Sequence, residues 1–187
     1  MNLIHRWYCK SDAWAKIVHN EILPNAFRGL ELGDNVLEIG PGPGRTTEWI
    51  RERVPALTAI EIDHKLANAL KARMAGTNTT IVEGDGTAMP FPDRSFTGAV
   101  CFTMLHHVPS AELQDQLLAE TARVLKPGST FAGSDSTPSL RWNIYHIMDT
   151  RVPVDPDTFA ARAQAAGFAD VNVGRVPNGF WWRARKG

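Results

Sequence analysis

Apolar residues along this chain fall into short runs separated by longer stretches in which they recur every three or four positions. The short runs are Val36–Ile39, Ala56–Ile62, Thr79–Glu83, Thr97–Thr103 and Ser129–Ser134. Each has the length of a strand and is bounded by glycine, proline or acidic residues. Residues 45–53, 64–74 and 111–126 carry helical spacing, with Leu66, Ala69, Leu70 and Arg73 in register on the second. Ser110 is placed to cap the third, and Pro127-Gly128 to stop it. Ahead of the first strand, Trp14, Ile17, Val18, Ile22 and Leu23 mark a helix from Ser11 or Asp12 to about Arg28, which Pro24 should kink or end. Beyond the fifth strand, residues 138–153 read as an irregular, aromatic-bearing connection. Asp157 then opens a helix that stops at Gly167, and 169–176 and 180–185 flank Pro177-Asn178-Gly179, a hairpin signal.

Strands that are almost continuously apolar and alternate with helices predict a parallel sheet covered on both faces. The closing hairpin requires one antiparallel strand at the end. At 187 residues, 43 % apolar and 21 % charged, one domain is the default. It divides into an N-terminal helical cap (1–33), a core (34–135) and a segment ending in the hairpin (136–187).

Lys+Arg and Asp+Glu number 20 each, so the chain carries no net charge, and long-range attraction to nucleic acid is not expected. No apolar run approaches the ~20 residues that span a bilayer, and the N-terminus has no signal-peptide core. A cytoplasmic protein with no membrane partner is expected. Cys9 and Cys101 form no C-x-x-C pair, and Cys101 reads as a buried thiol. The aromatic-cation alternation over Phe180–Lys186 reads as an edge or near-edge strand with one buried face rather than a nucleic-acid platform.

The chemistry is concentrated in Val36-Leu37-Glu38-Ile39-Gly40-Pro41-Gly42-Pro43-Gly44-Arg45-Thr46-Thr47. A strand feeds a loop with glycine at every second position, which lets the backbone turn sharply and lets a ligand lie against it. A dinucleotide fingerprint puts its third glycine where Arg45 stands, so the loop fits a nucleoside without pyrophosphate. In an open parallel sheet ligands bind beyond the carboxyl ends of the strands. Glu61 and Asp63 close the second strand, about twenty residues after Gly40, where an acid accepts both hydroxyls of a ribose. The two share a face, so one suffices. Asp85, between Gly84 and Gly86, either forms an Asp-Gly turn or accepts from an exocyclic amine. Thr103 to His107 follow the fourth strand and Asp135 the fifth.

In this order the motifs Val36–Gly44, Ile60-Glu61-Ile62-Asp63, Glu83-Gly84-Asp85-Gly86, Met89–Phe96, Leu105-His106-His107-Val108 and Arg123–Ser129 make the chain resemble class I S-adenosylmethionine-dependent methyltransferases of the small-molecule group. The resemblance covers roughly residues 34–135. It implies a three-layer α/β/α, Rossmann-like sandwich whose seven-stranded, mostly parallel sheet has its last strand antiparallel. It implies S-adenosylmethionine as cofactor and S-adenosylhomocysteine as product. By position, Gly40, Gly42 and Gly44 line the methionine part and Glu61 holds the ribose, with Glu38 and Pro41 counted among the cofactor-binding residues. Ile62 packs on the adenine, Asp85 reaches its amine with Gly84 and Gly86 beside it at the cofactor, and Phe102 or Thr103 approaches the amino acid. Ser129 stands where the family has a second glycine. The first motifs are also similar to those of ribosomal RNA adenine dimethylases. Phe102-Thr103-Met104-Leu105-His106 replaces their Asn-hydrophobic-Pro-aromatic motif, and RNA methylation is set aside.

Methyl transfer from a sulfonium needs positioning and exclusion of water, and a base only if the acceptor keeps its proton at neutral pH. His106, His107 and Asp135 are the candidates for base or substrate positioning. The ligand set of a metal-assisted mechanism is absent, and no metal is expected. Trp7, Tyr8, Trp142 and Tyr145 either fold over the cleft as an aromatic lid, touching substrate, or pack against the sheet. The expected acceptor is a small, aromatic or apolar molecule, and the expected assembly a monomer or homodimer. The other readings are a non-catalytic nucleoside-binding or partner protein on the same fold, and a nicotinamide-dependent enzyme, which Arg45 disfavours.

Overall fold

A computed structural model of the chain describes residues 11, 16, 18–27, 29–138 and 151–187. Trp7, Tyr8, Trp14, Trp142 and Tyr145 lie outside them.

Seven strands form one sheet: β1 (Asn35–Ile39), β2 (Ala56–Glu61), β3 (Thr79–Glu83), β4 (Phe96–Phe102), β5 (Leu125–Ser136), β6 (Phe168–Val176) and β7 (Gly179–Lys186). Their order is β3-β2-β1-β4-β5-β7-β6. Pairings from β3 through β5 are parallel, and β7 runs antiparallel to both neighbours. The predicted sheet is therefore the observed one. Strand order reverses between β1 and β4, which puts the switch point, and the crevice above it, at the carboxyl ends of those two strands.

Strand alternation assigns side chains to the two faces. Leu37, Ile39, Ala99 and Cys101 face α4 (Ala111–Val124) and α5 (Pro156–Ala165), in a core with Leu117, Phe131, Phe159, Phe180 and Trp182. Val36, Leu57, Val100 and Phe102 face α1 (Leu23–Phe27) and α2 (Arg45–Ile50), packing on Leu23, Ala26 and Ile50. Ala59 and Ile81 lie under α3 (His64–Arg73) with Leu70 and Met74. Glu38 falls on the α2 face, in the same alternation as Val36. In β7 the alternation puts Phe180, Trp182 and Ala184 in the core, so its aromatics are packing residues one strand in from the edge.

Several boundaries differ from the pattern-based ones. Among the described residues, the first helix is a π-helical turn, Val18–Ile22, followed by α1. Pro24 has no N–H to bond back into the preceding turn, and the ladder changes register beside it. α2 ends at Ile50, with Arg51 as its cap. α4 ends at Val124 rather than at Pro127-Gly128, because Leu125 already pairs with Phe96. The proline and glycine sit instead in an irregularity early in β5, where the register jumps to Gly98 opposite Thr130 and a missing ladder N–H costs nothing. α5 is capped by Asp155, whose carboxylate accepts from Asp157 N–H at 2.9 Å, so the helix opens at Pro156, one residue before Asp157. Asp135 lies inside β5, not in a cap after it.

Candidate functional site

The loop after β1 closes with Gly44 N–H donating to Pro41 O at 2.9 Å, over a buried Pro41. Gly40, Gly42 and Gly44 have φ of 65°, 55° and 83°, a region that favours glycine at each position. Their surroundings differ. A Cβ at Gly40 would lie 2.2 Å from Met104 Cγ, and one at Gly44 would lie 2.4 Å from Arg73 Nη2 and Leu70 Cδ1. A Cβ at Gly42 would meet nothing within 4 Å. Of the three, only Gly42 turns its bare Cα to open space. Gly40 is small because Met104, arriving from the end of β4, crosses the switch point and lies on it.

Glu61 closes β2 with 6 % of its surface exposed. Its Oε2 accepts from Gly42 N–H at 2.9 Å and its Oε1 from Asp63 N–H at 3.0 Å. Burial raises its pKa above the ordinary carboxylate value, opposed by those two amides. Asp63 is otherwise occupied. It caps α3, its Oδ1 accepting from Lys65 N–H and Leu66 N–H, so Glu61 is the acid on the loop. Between them stands Ile62, 68 % exposed and the sole large hydrophobic side chain exposed among the described residues.

Gly84 N–H donates to Glu61 O at 3.0 Å and ties the next loop to the same place. Asp85 Oδ1 accepts from Thr87 N–H and Thr87 Oγ1, both at 2.8 Å, which is the Asp turn of the sequence reading. Its Oδ2 has no partner among the described residues. Gly84 and Gly86 sit close against Ile60, Ile39 and Leu117, so both are small because of packing.

Glu38 lies behind the loop, 1 % exposed. Thr46 Oγ1, in the first turn of α2, donates to its Oε1, while Oε2 has no partner. Desolvation drives the Glu38 pKa from 4.5 up to about 7. Hydroxyls of Thr46 and Thr47 pull it down, and the charge of Glu61 pushes it further up.

At the end of β4, Phe102 is buried and Thr103 leaves the strand with φ 49°, its N–H donating to Ser134 O at 2.8 Å. Met104 then precedes a single 3-10 turn, Leu105–His107. His106 is 2 % exposed and clamped by Asp135, itself 2 % exposed. Its backbone N–H donates to Oδ2 at 3.0 Å, and its ring Nδ1 lies 2.5 Å from Oδ1. The same Oδ1 accepts from Ser136 N–H at 2.6 Å. The ring of His107, half-buried, packs on that of His106 at 4.2 Å. Val152 N–H donates to His106 O at 2.8 Å, and Gln114 Nε2 bonds both Leu105 O and Val152 O, bringing the segment after residue 150 to the same turn.

Glu38, the glycine loop, Glu61, Ile62 and Met104 thus meet around the ends of β1, β2 and β4, while His106, His107 and Asp135 close the β4–β5 side. A cleft of 360 Å3, lined by Gly42 and Pro43 of the loop together with Leu66 and Leu70, opens between α2 and α3. It is bordered by Arg73, which donates to Pro43 O at 2.5 Å and pairs with Glu48 at 3.1 Å. Met104, Thr46 and Thr47 were not singled out from sequence. The two threonines come one residue after the last glycine, beyond Arg45, and lie beside Glu38, a spacing that could have flagged them. Met104 carries no local signal.

Residues 37–133 match the family model described as a methyltransferase domain. An uncharacterized methyltransferase of Mycobacterium bovis is 27 % identical over 136 residues, 72 % of this chain and 66 % of that one. A fatty-acid O-methyltransferase of Mycolicibacterium smegmatis is 31 % identical over 108 residues, 57 % of this chain and 38 % of that one. The chain therefore spans just under two thirds of the first relative's length and well under half of the second's. A solved structure of an S-adenosylmethionine-dependent methyltransferase from Thermotoga maritima superposes with a TM-score of 0.75 over the full length of both chains, at 16 % identity.

Proposed function

The chain belongs to the methyltransferase-domain family, and we propose that it transfers a methyl group from S-adenosylmethionine to a small, aromatic or apolar molecule by in-line displacement. The observation that carries this reading is the grouping at the end of β2. A buried acid bonds the glycine loop, and the one exposed large hydrophobic of the described residues stands directly after it. That is the polarity pattern of a nucleoside, with hydroxyls on one side and an apolar ring on the other.

The residues fit the cofactor. The open Cα of Gly42 gives it a floor, and Glu61 has acceptor capacity left on both oxygens for ribose hydroxyls. Ile62 offers an apolar face to the adenine and Asp85 Oδ2 an acceptor to its amine. Phe102 and Thr103 border the amino-acid end, and Glu38 brings an acid to the methionine side. When bound, S-adenosylmethionine supplies an activated methyl on a sulfonium with a good leaving group. The protein orients the acceptor and excludes water. Asp135 and His106 hold the β4 turn in place, and His107, packed on His106, is the residue to take a proton from an acceptor that holds one. Trp7, Tyr8, Trp142 and Tyr145 are assigned to the acceptor side, and residues 1–187 to a single domain. The name of the fatty-acid relative and the neutral chain support an apolar acceptor over a nucleic acid.

Calorimetric titration with S-adenosylhomocysteine tests the cofactor assignment. Wild type binds and Glu61→Ala loses at least tenfold in affinity. No binding by wild type removes the reading.

A further inference from the structure

Gln114, at the start of α4, has no exposed surface. Its Nε2 donates to Leu105 O at 3.2 Å and to Val152 O at 2.9 Å, so both amide protons are used, on two segments far apart in the chain. Its Oε1 accepts from Arg162 Nη2 at 3.0 Å. Arg162 reaches over from α5, where its Nη2 also donates to Ala111 O at 3.0 Å and its Nε to Asp115 Oδ1 at 2.6 Å. A guanidinium only donates, so Arg162 fixes which end of the Gln114 amide is oxygen and turns the nitrogen toward the two carbonyls. Leucine has nearly the same volume and no polar group to desolvate, so packing alone does not call for a glutamine. The two carbonyls explain it. Leu105 opens the turn that carries His106 and His107. Val152 lies in the run 151–155 that leads into α5, and its own N–H donates to His106 O at 2.8 Å. Val152 is therefore held at both polar atoms, by the turn on one side and by Gln114 on the other. Asp135 grips the turn from the sheet, and Gln114 grips it from the helix.

We propose that Gln114 is a positioning residue for methyl transfer: it locks the turn bearing His107 to the run 151–155, with Arg162 as the group that orients its amide. The proposal rests on the reading above, in which the acceptor lies beside His107. Gln114 touches no reacting group and acts through Leu105 and Val152. Its side-chain bonds go to the turn, the run and α5, none of them to the glycine loop or Glu61, so the cofactor is held independently of it. Displacing a catalytic group by about 1 Å costs on the order of a hundredfold in rate, and one amide that holds two carbonyls controls displacements of that size. The seating of α5 on α4 is thereby linked to the placement of the proton-accepting histidine.

The test uses Gln114→Glu in the full chain. The substitution keeps the shape and gives Arg162 a charged partner, but an ionised carboxylate donates to neither carbonyl. Hydrogen exchange by NMR should speed up by about tenfold or more at the Val152 and His107 amides, while β1 amides change no more than the shift in global stability accounts for. The proton that His106 Nδ1 shares with Asp135 should exchange faster, and its signal should broaden. S-adenosylhomocysteine affinity by calorimetry should stay within about twofold of wild type. Methyl transfer from S-adenosylmethionine is followed with a set of phenols and medium-chain fatty acids. With the probe that wild type methylates fastest, kcat should fall by about tenfold or more, with the KM for S-adenosylmethionine unchanged. The exchange measurement decides without an acceptor. A variant whose Val152 amide and His106 proton match wild type, with only its melting temperature lowered, overturns the proposal and leaves Gln114 a packing residue. If Gln114→Glu does not fold, Arg162→Met, which keeps the glutamine and removes what orients it, should show the same pattern at about threefold or more, and wild-type exchange in that variant overturns the proposal equally. If wild type fails to bind S-adenosylhomocysteine, the methyltransferase reading falls and the proposal with it. If it binds and only the exchange result fails, that reading survives and the role of Gln114 alone falls.

Discussion

Gly40 answers two demands at once. Its φ of 65° strains any residue with a Cβ, and Met104 occupies the direction a Cβ would take. Gly40→Ala is expected to cost about 2–4 kcal/mol, part backbone strain and part overlap with Met104. Met104→Ala removes the overlap and leaves the strain. A double-mutant cycle by urea unfolding should therefore show a favourable coupling of at least about 1 kcal/mol, and strict additivity would mean that Gly40 is not small for Met104's sake. Glu38 makes a second residue-scale prediction. Its folded pKa, about 7, lies above the ordinary 4.5, so the folded chain keeps a proton that the unfolded chain loses. Stability contributed through this group is intact below pH 4.5, falls as pH rises to about 7, and stays low above it. Glu38→Gln ends that penalty. The variant should match wild type near pH 4.5 and exceed it at pH 8 by up to about 3 kcal/mol in denaturant titration. Some slope should persist, since Glu61 is shifted in the same direction. A variant less stable than wild type at pH 8 would contradict this account of the buried carboxylate.

Between elements, the site is held by a few long side chains that reach from one motif to another. Arg123, near the end of α4, donates to Met89 O at 3.0 Å, Phe91 O at 2.8 Å and Asp93 at 2.7 Å, and pairs with Glu120 at 2.7 Å. It ties the Met89–Phe96 loop down, and Arg123→Ala should cost about 2 kcal/mol because three acceptors lose one donor together. Arg123→Lys should recover little of it, since an ammonium cannot span the fork. A thermal melt of the two variants decides this, and a lysine variant equal to wild type would show that charge alone suffices. Strand and helix positions were legible because their period is local, and a mostly parallel sheet with an antiparallel strand at its end followed from alternating elements and the closing hairpin; the order of its strands came from the structure. Boundaries were missed where a distant partner decides them, as Phe96 does for Leu125 and Pro127. The same limit applies at the crevice. The glycines and Glu61 were readable from spacing, and the structure joins Glu61 to the loop as that spacing required. The lodging of Met104 on Gly40, the clamp of Asp135 on His106 and the unpartnered Oε2 of buried Glu38 depend on residues that only the folded sheet brings together.

For the molecule as a whole, the crevice and the outer strands answer to different parts of the core. The ends of β1, β2 and β4 meet at the switch point, whereas β6 and β7 form a hairpin at the far edge of the sheet, anchored by Phe180 and Trp182. A ligand at the switch point adds free energy to the folded state as a whole but rigidifies only its own surroundings. S-adenosylhomocysteine at a hundred times its dissociation constant should raise global stability by about 2.7 kcal/mol and the melting temperature by roughly 5–10 °C. Hydrogen exchange should slow most in the glycine loop, at Glu61–Asp63 and at Thr103–Met104. The Gly42 amide is the most telling probe, because its acceptor, Glu61, is the residue assigned to the ribose. Amides along β6, where only Phe168 is buried, should change only through global unfolding. Protection that appears first along β6, or between α2 and α3 with the glycine loop unchanged, would move the binding site away from the switch point.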